Sequence, residues 1–120
     1  MKRRWMAFVY AWRGLRYAFR TQPNFRIHMA AVLAVNAAGL YFKIQATEWI
    51  LIWICIGMVL AAELINTAIE MLTDKLWPER NPKAGHIKDL AAAAVLVCAL
   101  ASLVTAAVIF VPYFRSALQG

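Results

Sequence analysis

Through residues 3–20, apolar side chains return at spacings of three, four and seven: Trp5, Phe8, Val9, Trp12, Leu15 and Phe19. That period predicts an amphipathic helix. Arginines interleave with the stripe. Arg16 falls on its edge, where its stem must lie along apolar surface while its head stays in water. A basic helix with aromatic residues on its apolar side suits the headgroup layer of a membrane. The segment "TQPNF" breaks this pattern, and Thr21 and Pro23 restart a helix. Three long apolar runs follow, at about 25–43, 48–73 and 90–111. Each approaches the roughly 20 residues needed to cross a bilayer. At the ends of the first run, Arg26, His28 and Lys43 can reach the interface. The connection "KIQATE" is short and implies antiparallel neighbours. The stretch "DKLWPERNPKAGHIKD" reads as a loop or broken helix, and Pro112 is expected to close the third span. The pattern predicts an all-α membrane protein in one domain, residues 1–120, with three transmembrane helices and an N-terminal amphipathic surface helix.

Composition agrees. The chain is 63% hydrophobic and only 16% charged, against about half and a quarter in soluble domains. Charge then sets orientation. Seven of the thirteen basic residues precede residue 27 with no acid among them, and Lys75, Arg80, Lys83 and Lys88 lie in the loop before the third run. Cytoplasmic flanks of membrane helices carry this excess. The expected arrangement is multi-pass, with the N-terminus in the cytoplasm and the C-terminus on the other side. The net charge of +7 therefore points to a membrane surface, and no nucleic-acid partner is expected. Cys55 and Cys98 make no metal-binding or redox spacing and read as small core residues.

The second run carries polar groups that a membrane helix must justify. Helical geometry brings Glu63, Asn66, Thr67, Glu70 and Asp74 onto one face, while Leu64, Ile65, Ala68 and Ile69 occupy the others. Buried carboxylates cost several kcal/mol each unless paired, solvated or protonated, so they are candidates for function. Glu63 and Glu70 stand two turns apart, roughly 10 Å along the axis. A deeper carboxylate can take a proton from a lipid hydroxyl. One nearer water can hold Mg²⁺, which favours carboxylate and phosphate oxygens. A phosphoryl group would fit between them, since its transfer needs chiefly alignment and charge neutralisation. Neither GxxxxGK[ST] nor GxGxxG is present, which excludes P-loop and protein-kinase chemistry.

The stretches "GLRYAFRTQPNFRIH", "AAELINTAIEMLTDK" and "HIKDLAAAAVL" resemble the small prokaryotic integral-membrane diacylglycerol kinases, a family that includes undecaprenol kinases, over essentially the whole chain. The resemblance implies a helical homotrimer with active sites shared between subunits, Mg-ATP as phosphate donor and a membrane lipid alcohol as acceptor. It implies Glu63 as general base, with Glu63 and Arg26 toward the lipid substrate. Glu70 and the residue at position 22 would hold the metal, and Asn66, Thr67 and Asp74 would support the polar face. Arg3, Tyr10, Glu70, Glu79, Arg80, Asn81, Lys88 and Asp89 would contact ATP. Two departures stand out. The family's pattern has a glutamate where this chain has Gln22, and aromatic and histidine residues are more usual at the ERN triplet.

The expected function is therefore an ATP-dependent lipid kinase acting on diacylglycerol or undecaprenol. A non-catalytic membrane assembly protein on the same helices is the alternative, for which Gln22 gives room. An ion pathway would also place carboxylates in a membrane helix, but it leaves the basic, proline-broken loop unexplained.

Overall fold

A computed structural model describes residues 2–120. It contains four helices: α1 (Lys2–Thr21), α2 (Pro23–Phe42), α3 (Ala46–Leu76) and α4 (Pro82–Gln119). The last three are long and apolar enough to cross a membrane. At 1.5 Å per residue, the 31 residues of α3 extend ~46 Å and the 38 of α4 ~57 Å. Both exceed the ~30 Å hydrocarbon layer, so their ends reach beyond it.

Helix α1 keeps its apolar stripe uncovered. Trp5, Phe8, Trp12, Leu15 and Phe19 are exposed, and only Ala18 of this helix is buried. Among the described residues nothing covers that stripe, as suits a helix lying on a surface. The break after α1 comes at Gln22, whose backbone is extended, and Pro23 opens α2. Thr21 belongs to α1, because its hydroxyl donates to the Tyr17 carbonyl. The restart therefore begins one residue later than the sequence pattern suggests.

The largest apolar cluster sits at the Lys43 end of the bundle. Ile44, Ile52, Ile109 and Phe110 form its buried centre, with Val35, Phe42, Trp49 and Tyr113 packed around them. Gly39 lets α2 approach α3 here: a Cβ at this position would lie 2.6 Å from Trp49 Cη2. Lys43 ends α2 in the left-handed conformation with φ 54°, and its N–H bonds the Gly39 carbonyl.

Two expectations change. The proline-containing loop is much shorter than its composition implies, because α3 persists to Leu76 and α4 begins at Pro82. Asn81 makes this possible: its Oδ1 accepts from the backbone N–H groups of Lys83 at 2.9 Å and Ala84 at 3.3 Å. Two orphan donors are thereby satisfied, and proline suits a first helical position. Pro112 also does not close the third helix, which continues to Gln119. A proline inside a helix costs about 3 kcal/mol. Tertiary contacts offset it. Phe42 packs against Phe110, Tyr113 and Phe114, and the Tyr113 hydroxyl donates to Glu48 Oε1.

Candidate active site

The polar face of α3 turns into the bundle. Glu63, Asn66 and Thr67 are buried, Glu70 is half-buried and Asp74 is exposed. Ile65, on another face, is exposed. The stripe therefore runs from the apolar interior toward the α3–α4 loop.

Each member has a definite setting. The Glu63 side chain is 4% exposed, and its Oε2 lies 3.5 Å from His28 Nε2 on α2. The Thr67 hydroxyl donates to the Glu63 backbone carbonyl at 2.9 Å, which settles that hydroxyl within its own helix. Asn66 Nδ2 donates to Glu70 Oε1 at 3.4 Å, while Asn66 Oδ1 is buried without a partner. A buried unpaired acceptor costs ~1–3 kcal/mol.

A second cluster lies at the loop. Lys88 Nζ pairs with Asp74 Oδ1 at 2.7 Å. Lys88 precedes the third apolar span, and the hydrogen bond to Asp74 raises its ammonium above the ordinary lysine value. Asp74, Lys88, Glu79, Arg80 and Asn81 line a polar pocket of about 230 Å³. The sequence-derived residues of this loop are thus brought together around one space.

Others are not brought to it. Arg3, Tyr10 and Asp89 are exposed and do not line that pocket; Arg13 stacks over the Tyr10 ring instead, 5.8 Å from its centroid. Arg26 Nη1 donates to the carbonyls of Phe19 at 3.1 Å and Arg20 at 3.0 Å, satisfying the end of α1. Gln22 Nε2 reaches Thr21 Oγ1 at 3.4 Å. Sequence reasoning overlooked His28 as a partner of Glu63 and left it at the interface. The available signal was an ionisable residue inside an apolar run that had already begun at Phe25.

A profile described as prokaryotic diacylglycerol kinase matches residues 9–110. The chain belongs to that family. The matched segment contains Glu63, Asn66, Glu70, Asp74 and Lys88, so the whole polar stripe and its lysine partner fall inside the prokaryotic diacylglycerol kinase region. Individual relatives agree over nearly full length. The chain is 38% identical to the undecaprenol kinase of Bacillus subtilis (strain 168), covering 93% of this chain and 91% of that protein. It is 32% identical to a diacylglycerol kinase of Pseudomonas aeruginosa, covering 91% and 89% respectively. For the diacylglycerol kinase of Escherichia coli (strain K12) the identity is 29%, over 88% and 86%.

Proposed function

We propose that this chain is a lipid kinase that moves the γ-phosphoryl group of ATP to the hydroxyl of a membrane lipid alcohol. The observation that carries the proposal is Glu63, a carboxylate with 4% side-chain exposure in a helix long and apolar enough to cross a membrane, aligned on one helix face with Glu70. Burying such a group is costly, and general-base work on a lipid hydroxyl gives the placement a purpose.

In this reading Glu63 accepts the hydroxyl proton as the lipid oxygen attacks the γ-phosphorus, and ADP leaves from the opposite side. Glu70 and the Asn66 side-chain oxygen face the triphosphate. Lys88 and Arg80, at the polar pocket, neutralise its charge. Such positioning and neutralisation make up most of what phosphoryl transfer requires.

The residues fit Mg²⁺ brought in with the nucleotide. Among the described residues no three His, Cys, Asp or Glu side chains converge, so the chain offers no complete cage. Mg²⁺ characteristically takes one or two carboxylates and completes its shell with phosphates and water. Glu70 supplies one carboxylate and the unpartnered Asn66 Oδ1 is a further oxygen donor; Gln22, whose amide reaches Thr21, would have to turn away from it to add a neutral amide oxygen. When bound, the ion would offset charge on the phosphates.

A homotrimer in the bacterial inner membrane, with the N-terminus and the α3–α4 loop in the cytoplasm, completes the proposal. Exposed Leu33, Leu40, Trp53, Leu96, Leu103 and Val108 support both a lipid environment and subunit neighbours. Undecaprenol is the first acceptor to try, supported by the higher identity to the undecaprenol kinase among the three relatives above.

The test is an assay with γ-labelled ATP and magnesium, offering diacylglycerol and undecaprenol in parallel vesicles. Labelled lipid phosphate is expected from at least one. No labelled lipid from either would leave the non-catalytic assembly protein as the better description.

A further inference from the structure

We propose that His28 is a positioning residue for Glu63, holding one carboxylate oxygen so that the other faces the incoming lipid hydroxyl. The inference rests on the lipid-kinase reading and adds to it a residue on a different helix.

The geometry is specific. His28 Nε2 lies 3.5 Å from Glu63 Oε2. The other polar side chains on the stripe are turned elsewhere. The Thr67 hydroxyl bonds the Glu63 backbone rather than its carboxylate, Asn66 bonds Glu70, and Lys88 bonds Asp74. Among the described residues, His28 is the one cationic or donor side chain recorded at the Glu63 carboxylate. The two groups are within ion-pair distance but do not form a hydrogen bond here; catalytic contacts are often loose before substrate tightens them.

A second observation puts the imidazole at the edge of an apolar groove. An apolar groove of about 260 Å³ runs between α2, α3 and α4, and His28 is among its lining residues. The members nearest the polar stripe along each helix are His28, Leu60 and Ala99. From there the lining continues toward the Lys43 end through Val35, Ile52 and Ala106. His28 therefore stands where apolar space meets the proposed base. An Nε2–H directed at Oε2 would fix the carboxylate plane and leave Oε1 toward the mouth of the groove. The same ring, 24% exposed in its side chain, limits the directions from which a hydroxyl can approach.

The test compares His28→Leu and His28→Gln with wild type, measuring kcat and the KM for Mg-ATP in lipid vesicles. Leucine fills similar volume without a donor. Glutamine carries an amide N–H on a chain of comparable reach. Groups that orient a functional side chain from behind typically matter by ~10- to 100-fold. His28→Leu is expected to lower kcat by that factor with KM for Mg-ATP unchanged, and His28→Gln to recover a substantial part. Wild-type kcat in His28→Leu would overturn the proposal. So would an equal loss in His28→Gln, or a change confined to the KM for Mg-ATP. Should wild type itself phosphorylate no lipid, the kinase reading falls first. If wild type is active and the two variants behave otherwise than expected, only the role of His28 falls.

Discussion

Lys88 Nζ lies 2.7 Å from Asp74 Oδ1, tying the end of α3 to the start of α4 at the rim of the polar pocket. Exposed pairs of this kind add little to stability, so the pair's proposed value is in presenting the ammonium. Asp74→Asn should change thermal stability little while raising the KM for Mg-ATP about tenfold, some 1.4 kcal/mol. The hydrogen bond to Asp74 raises the Lys88 pKa from 10.5. The pair is therefore intact below that value and is lost only as pH rises through the higher folded-state value. Nucleotide KM measured across the alkaline range should show no loss attributable to Lys88 below that point in wild type, and an earlier rise in Asp74→Asn.

Glu63→Gln removes the proposed proton acceptor while preserving shape. General-base groups contribute ~10²–10⁴-fold, so kcat should fall by that order. Helical content and the oligomeric state in detergent should match wild type. Normal turnover in this variant would eliminate Glu63 as the base.

Gln22→Glu introduces a negative charge at the N-cap of α2. The helix dipole favours an anion there, so the change should not destabilise the fold. If Gln22 stands near the metal, the magnesium concentration for half-maximal rate should drop several-fold. An unchanged magnesium titration would remove Gln22 from the metal site.

Gly39→Ala tests the closest approach of α2 to α3. The new Cβ would meet Trp49 Cη2 at 2.6 Å, and overpacking of this kind costs ~1–3 kcal/mol. A lower unfolding temperature in detergent is expected, with partial recovery on adding Trp49→Phe, which removes the clashing ring atoms.

Much of this arrangement was legible in the chain. The apolar periods marked every helix, and the spacing of Glu63, Asn66, Thr67 and Glu70 placed them on one face before any coordinates. What could not be read depended on partners distant in sequence. Pro112 looks like a terminator until Phe42 and Glu48 are seen to hold the turns beyond it. The loop before α4 looks long because local composition does not reveal that Asn81 caps the helix. His28 looks interfacial because its significance comes from a carboxylate 35 positions later in the chain. Arg26 also makes a contact that the sequence hides: its Nη1 donates to the carbonyls that end α1.

The densest apolar cluster, around Ile44, Ile52, Ile109 and Phe110, lies away from Glu63. That cluster joins α2, α3 and α4 at the Lys43 end, like the spring of a clothes peg. On the proposed lipid-kinase reading, a long-chain alcohol entering the groove beside His28 would leave that cluster undisturbed and would come directly from the acyl layer, without first being hauled through water.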